Sequence, residues 1–163
     1  MNLRPVCVLF VIIFLFKVGF VFEVLGDVPY STSLSFTRMK ASNDYEIKAN
    51  FYTYYVPEQD VVSATWLSKV ATSSKIYADM ISSEKVLRSY GMVILEWKYI
   101  LSNDSKIERN TYIYLRYLNV VDGVFIDPEG RLSNITGFSH VFNITNKIYS
   151  NGDSEIYRSL PSD

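Results

Sequence analysis

The segment Met92-Val-Ile-Leu-Glu-Trp-Lys-Tyr-Ile-Leu101 decides the predicted fold, together with Arg109-Asn-Thr-Tyr-Ile-Tyr-Leu-Arg-Tyr-Leu-Asn119. Apolar side chains recur at every second position in both segments, which is the period of a β-strand with one buried face. With the polar residues 102–108 as a loop, the two strands pair as an antiparallel hairpin. The predicted buried face then carries Val93, Leu95, Trp97, Tyr99, Ile113, Leu115 and Tyr117.

The opposite face of this hairpin is unusually rich in residues that proteins use to bind one another. It carries Tyr112, Tyr114 and Arg116 beside Glu96 and Lys98. Tyrosine and arginine are enriched at protein interfaces. We therefore predict a partner-binding surface here, with Tyr52 and Tyr54 as a second candidate. The alternative is that a second sheet or a helix covers this face, because a central strand is often buried on both sides.

Outside the hairpin, three further segments predict strands: residues 32–40, 45–56 and 138–150. Residues 58–90 lie between Pro57 and Gly91 and contain no glycine, which favours one or two short helices, including residues 83–90. The sequence thus predicts a mainly β fold, an antiparallel sheet or sandwich-like domain with one or two short helices. The alternative is an α+β fold with one long helix packed on an antiparallel sheet.

The first 26 residues are typical of a targeting segment. Arg4 precedes the apolar run from Val6 to Phe16, and small or modest residues follow at 24–26. We predict a signal peptide over 1–26, a single β-rich extracellular domain over 27–150 and a loose polar tail over 151–163. The alternative is a type II membrane anchor, because the apolar run continues to Phe22 with one interruption at Lys17.

Composition excludes several classes of function. The chain has 163 residues and a formal net charge of −1, and its basic residues form no stripe, so nucleic acid is not an expected partner. The single cysteine, Cys7, lies in the leader, so the mature domain has no disulfide and no thiolate chemistry. An aromatic content of 15% is consistent with a core held by packing alone.

Three sequons follow the predicted leader. Asn103, Asn134 and Asn143 each precede a serine or threonine by two positions, the pattern of N-glycosylation. Asn103 lies in the predicted hairpin loop, Asn134 in a turn and Asn143 on the polar side of the last strand. We therefore predict that all three reach water and carry glycans.

No catalytic or cofactor motif is present. Ser139 and His140 are adjacent, but neighbouring strand residues face opposite ways, so His140 is predicted to lie in the core beside Phe138 and Phe142. Oxygen ligands for calcium occur at Asp122, Asp127 and Glu129, but turn formation explains these residues equally well. We predict no cofactor, no metal and no enzyme activity.

Three functions are compatible with this pattern. The first is a secreted or cell-surface glycoprotein that binds a protein partner or receptor without catalysis. The second is a carrier of an apolar or sugar ligand with an aromatic-lined cavity. The third is a hydrolase whose site the sequence does not reveal.

Overall fold

The computed structural model describes residues 4–17, 36–94, 98–102 and 105–159, and it divides the chain into two units, Met1–Asn43 and Asp44–Asp163. The first unit contains helix α1 (Arg4–Lys17) and the short helix α2 (Phe36–Ala41). The large apolar side chains of α1 from Val6 to Phe16 are exposed, from Val6 at 41% to Phe10 at 68%, except for Leu15, which is half-buried.

The second unit begins with two helices, α3 (Tyr45–Tyr54) and α4 (Glu58–Val70). Strand β1 (Ile76–Ala78) follows, and then a π-helical segment, Ser82–Leu87. Two further strands, β2 (Lys98–Ile100) and β3 (Tyr112–Leu115), lead to the one-turn helix α5 (Tyr117–Val120).

The remaining elements are mostly short strands. Strands β4 (Val124–Ile126) and β5 (Leu132–Asn134) form a two-stranded antiparallel sheet. A 3₁₀ turn (Ile135–Phe138) and helix α6 (Ser139–Phe142) then lead to β6 (Thr145–Ser150) and β7 (Glu155–Ser159).

The main sheet is mixed and has the strand order β2-β1-β3-β7-β6. Strand β1 pairs in parallel with β2 and with β3, so Tyr77 has Tyr99 on one side and Ile113 on the other. Strand β7 pairs antiparallel with β3 and with β6. The fold is therefore α+β, and the predicted combination of a β-sheet domain with short helices is confirmed.

Both faces of the central strands are buried. One face packs on α4 and the π-helical segment, and its buried residues are Ile76, Ala78, Tyr112, Tyr114, Ile156, Ala64, Leu67, Val86 and Leu87. The other face packs on β4 and the segment around α6, through Tyr77, Ile113, Leu115, Phe125, Phe138 and Val141. Strands covered on both sides read as continuous apolar runs, which explains why β1 and β3 have few polar residues.

The prediction of a central hairpin over residues 92–121 is wrong. Strands β2 and β3 are not neighbours, because β1 lies between them and pairs with both. Side-chain alternation identifies a strand but not its partner, so the pattern did not reveal the insertion of β1. Residues Leu95, Glu96 and Trp97, on which the predicted pairing relied, lie outside the described residues.

Two more predicted strands are helices. Residues 45–54 form α3, because the Asp44 carboxylate caps the helix by accepting hydrogen bonds from the backbone N–H groups of Glu46 (2.8 Å) and Ile47 (3.4 Å). Within the strand predicted over 32–40, residues 36–40 belong to α2, and 32–35 lie outside the described residues. Aromatic and β-branched content favoured strands here, but the tertiary environment outweighs such propensities.

The C-terminal region also differs from the prediction. Residues 138–150 are not one strand, because β6 begins only at Thr145, after the 3₁₀ turn and α6. The tail predicted to be loose instead supplies β7, which pairs with strands on both of its sides. Ile156 is fully buried, and this single apolar anchor, flanked by polar residues, was too short a signal to predict a strand.

Candidate functional site

The parallel strands of the second unit end at one edge of the sheet, where several polar side chains meet. Asp79 follows β1 directly and Arg116 follows β3 directly. The chain runs from β1 to β2 on one side and then crosses to β3 on the other side of β1. In open α/β sheets, ligands bind at the carboxyl ends of strands next to such a reversal. This edge is therefore the first place to examine for a functional site.

A buried ion pair lies at this edge. Arg116 Nε donates to Asp60 Oδ2 at 3.2 Å, and both side chains have no exposed surface. Asp60 Oδ1 accepts a hydrogen bond from the backbone N–H of Tyr117 at 2.8 Å. Arg116 Nη2 donates to the carbonyl oxygens of Tyr52 (2.9 Å) and Tyr55 (3.3 Å). The pair thus joins α4 to the end of β3 and to the end of α3.

A second buried carboxylate extends the network. Asp79 Oδ2 accepts a hydrogen bond from Asn119 Nδ2 at 2.5 Å, and Asp79 Oδ1 accepts one from the backbone N–H of Ser82 at 2.6 Å. Asn119 Oδ1 in turn accepts a hydrogen bond from the backbone N–H of Arg116 at 2.9 Å. Asp79 therefore fixes the start of the helical turn that follows β1, and Asn119 connects it to the ion pair.

The electrostatics of this network follow from its burial. Desolvation raises the pKa of Asp60, and the neighbouring Arg116 guanidinium opposes that rise. Burial also raises the pKa of Tyr114 well above its ordinary value. The Tyr114 hydroxyl donates to the carbonyl oxygen of Asp60 at 3.1 Å. Because Asp60, Arg116, Asp79 and Asn119 are all inaccessible to solvent, the network positions elements and offers no group to a ligand directly.

An open groove of about 700 Å³ lies beyond the end of β1, next to this network. One wall is the face of α3 that carries Glu46, Asn50 and Thr53, at the spacing of successive helical turns. The apolar part of the lining, called the floor below, consists of Ala49, Met80, Ile81, Ile126 and Leu132. Met80 and Ile81 follow Asp79 directly, so the buried network holds this part of the floor in place.

The far side of the groove is the turn between β4 and β5, which contributes Gly130 and Arg131. Arg131 Nε donates to Asp127 Oδ2 at 2.6 Å, and Arg131 Nη2 donates to Glu129 Oε2 at 2.9 Å. Burial raises the pKa of Asp127, but the hydrogen bonds from Arg131 outweigh it and the net pKa is lowered. The turn is thus held together internally, and Gly130 supplies the positive φ of +79° that it requires.

The structure contradicts the predicted partner surface. Tyr112, Tyr114 and Arg116 are at most 3% exposed, the Lys98 side chain is 2% exposed, and Glu96 lies outside the described residues. The second candidate is divided, because Tyr52 is buried while Tyr54 is 88% exposed. The alternative prediction, in which another layer covers this face, is the one that the structure supports. The expectation of a protein partner itself stays a prediction.

The other sequence-predicted residues do not converge on a site. His140 is exposed on α6 and is not part of the core, because residues 139–142 are helical. Asp122 pairs with Lys48, whereas Asp127 and Glu129 both pair with Arg131. Within the ranges that the structure covers, no cluster of three or more histidine, cysteine or acidic side chains is able to hold a metal ion.

Glycosylation of the three sequons stays a prediction from the sequence. Asn134 is exposed, and its Oδ1 accepts a hydrogen bond from the backbone N–H of Thr136 at 2.9 Å. Asn143 is exposed as well, and Asn103 lies outside the described residues.

The residues that sequence reasoning missed are Asp60, Asp79 and Asn119. A useful signal was available for Asp79, which directly follows the apolar Ile76–Ala78.

Comparison with known proteins adds one finding. A family model with the description "Predicted membrane protein (DUF2206)" matches residues 1–157. The chain belongs to this family. No curated protein and no solved structure matches the chain. None of the helices in the described ranges is long and apolar enough to cross a membrane.

Membership of DUF2206 corrects the predicted function. A family of membrane proteins conflicts with a secreted glycoprotein that is released from a cleaved signal peptide, so that interpretation is wrong. No aromatic residue lines the groove described above, so this groove is not the aromatic-lined cavity predicted for a carrier. Of the two predicted locations, association with the membrane is the one that the family supports.

Proposed function

We propose that this DUF2206 chain is a type II membrane-anchored protein. In this proposal its N-terminal apolar segment stays in the bilayer, and the α+β unit Asp44–Asp163 lies on the far side of the membrane from the N-terminus. Helix α1 carries the proposal. Between Val6 and Phe16 its large apolar side chains are 41–68% exposed, except for the half-buried Leu15, and they lie around the helix. A helix that is apolar all round is stable when lipid or a protein interior surrounds it.

The length of the apolar sequence supports retention in the bilayer. Helix α1 has 14 residues, which at about 1.5 Å per residue is roughly 21 Å and shorter than a hydrocarbon core of about 30 Å. The sequence, however, stays apolar to Phe22 with Lys17 as its only charge. A lysine near the end of such a segment extends its ammonium group toward the lipid headgroups at modest cost.

The basic residues next to the apolar sequence support the type II orientation. Arg4 lies directly before it, and the first basic residue after Phe22 is Arg38. Basic residues close to a membrane-spanning segment stay preferentially in the cytoplasm. The N-terminal side is therefore assigned to the cytoplasm.

Thiol labelling tests the orientation. Cys7 is the only cysteine, so a Cys7→Ser chain provides a cysteine-free background, and Lys69→Cys adds one exposed thiol at the end of α4. In sealed right-side-out vesicles, a membrane-impermeant maleimide is expected to label this thiol without detergent. The Cys7→Ser chain is the control for background labelling. Labelling that requires detergent would reverse the orientation.

A further inference from the structure

We propose that the groove beyond β1 binds an amphipathic organic cation, a molecule with a primary ammonium group and a short carbon chain. The ammonium group lies against the wall of α3 beside Glu46, and the carbon chain lies on the floor formed by Met80, Ile81 and Leu132. A volume of about 700 Å³ is within the range of small-molecule sites, about 300–1,000 Å³. This proposal does not depend on how the chain is anchored.

The charges around the groove select a cation. The Glu46 carboxylate makes no ion pair with any residue of the described ranges. It lines the groove from the first turn of α3. The basic residue on the facing side, Arg131, already donates to Asp127 at 2.6 Å and to Glu129 at 2.9 Å. Carboxylates therefore outnumber cations here, and an anionic ligand would meet net repulsion.

The hydrogen-bonding groups of the wall favour a ligand that donates hydrogen bonds over one that accepts them. The Thr53 hydroxyl donates its proton to the carbonyl oxygen of Ala49 at 2.8 Å, so only its lone pairs are left for a ligand. The Glu46 carboxylate is an acceptor, and the Asn50 amide presents a carbonyl oxygen as well as its N–H₂ group. An ammonium group offers three donors and no acceptor, so it matches this wall better than a carboxylate or phosphate does.

The floor selects the rest of the ligand. Met80, Ile81, Ile126 and Leu132 offer no side-chain hydrogen bond, so a ligand that covers them gains by burying carbon. Glu46 and Thr53 are seven positions apart on the helix, so the polar stripe between them is roughly 10 Å long. A chain of about six carbons attached to an ammonium group fits beside such a stripe.

Methionine methyl spectra of the full-length protein in phosphatidylcholine nanodiscs give a local test. Met80 lines the groove, whereas Met92 is not among the lining residues and is 78% exposed, so the Met92 methyl group is an internal control. Titration with hexylammonium is expected to shift the Met80 signal saturably and to leave the Met92 signal unchanged. Hexanol and hexanoate have the same chain without the positive charge and are expected to bind more weakly by up to roughly fivefold, the effect of one partly exposed charge pair.

Two variants complete the test. Glu46→Gln is expected to weaken hexylammonium binding roughly fivefold, because it removes the charge and leaves an exposed helix residue of similar shape. Glu58→Gln makes the same change in the first turn of α4, outside the groove, and is expected to bind like the wild type. The proposal is overturned if no saturable Met80 shift occurs, if hexanoate or hexanol binds as tightly as hexylammonium, or if Glu46→Gln binds normally.

Discussion

Arg116 shows how one residue depends on information that the local sequence does not contain. It follows a strand of alternating tyrosines, and alternation alone placed it in solvent. Its buried position requires a carboxylate from another element, and Asp60 supplies it from 56 positions earlier in the chain. A buried guanidinium without a counter-charge is very costly in free energy, so the burial of Arg116 depends on the presence of Asp60.

Replacement of Asp60 with alanine tests this pair. The substitution leaves Arg116 without its counter-charge and the Tyr117 N–H without its acceptor, so we expect a loss of about 3–5 kcal/mol in the free energy of unfolding. Arg88→Gln, which breaks a surface pair with Glu84 and leaves the other partners of Glu84 in place, is the control and should cost at most about 1 kcal/mol. Chemical denaturation of the two variants checks the difference, and equal losses would show that the buried pair does not stabilise the unit.

The same carboxyl makes a prediction about pH. Burial raises the pKa of folded Asp60 above the ordinary value of 3.8, so the folded chain keeps this proton at pH values where the unfolded chain has lost it. The contribution of Asp60 to stability is therefore largest at low pH and falls as the pH rises through the interval above 3.8. The stability of the wild type minus that of Asp60→Asn should decline over this interval. An increase with pH would contradict the direction of the shift.

At the scale of elements, the sequence was a good guide to the presence of strands and short helices. It was a poor guide to which of these elements are neighbours. The helices expected within 58–90 are present as α4 and the π-helical segment. Strand β1, between them, has only three residues, which is too short for a periodic signal. Its pairing with β2 and β3 is set by long-range packing, so no local pattern distinguishes it from a hairpin of β2 with β3.

Strand β7 gives an element-scale prediction. Ile156 is fully buried in the cluster that the sheet forms with α4 and the π-helical segment, so Ile156→Ala should cost about 2–5 kcal/mol of unfolding free energy. Ile148→Ala, on the neighbouring edge strand β6, is the matched control because that side chain is 39% exposed. Thermal or chemical denaturation compares the two. If both substitutions had the same small effect, residues 155–159 would not belong to the core.

Gly91 gives another prediction, because its backbone lies close to the backbone of the π-helical segment and of α4. An added Cβ would lie 2.8 Å from the carbonyl oxygen of Leu87 and 3.2 Å from that of Ala64. Backbone atoms cannot move far to make room for a methyl group, so we expect Gly91→Ala to destabilise the unit by about 1–3 kcal/mol. The neighbouring exposed Ser89→Ala should stay within about 0.5 kcal/mol of the wild type. A neutral Gly91→Ala variant would mean that α4 and this segment do not approach so closely.

For the whole molecule, the N-terminal segment decides the biological context. The sequence alone left two possibilities, a cleaved signal peptide and an anchor, because the apolar run is close in length to both. The interruptions at Lys17 and Glu23 favoured cleavage, and only the family assignment shows that the chain belongs with membrane proteins. The groove was also beyond the reach of the sequence, because α3, β1 and the β4–β5 turn come together only in the folded unit.

Membrane retention with an intact N-terminus is the most direct test of this account. Membranes from cells that express the full chain are washed with alkaline carbonate, and the mass of the extracted protein is measured. We expect the chain in the pellet with residues 1–26 still attached, and a variant that lacks these residues in the supernatant. A wild-type chain that appears in the supernatant and begins near Asp27 would contradict the anchor.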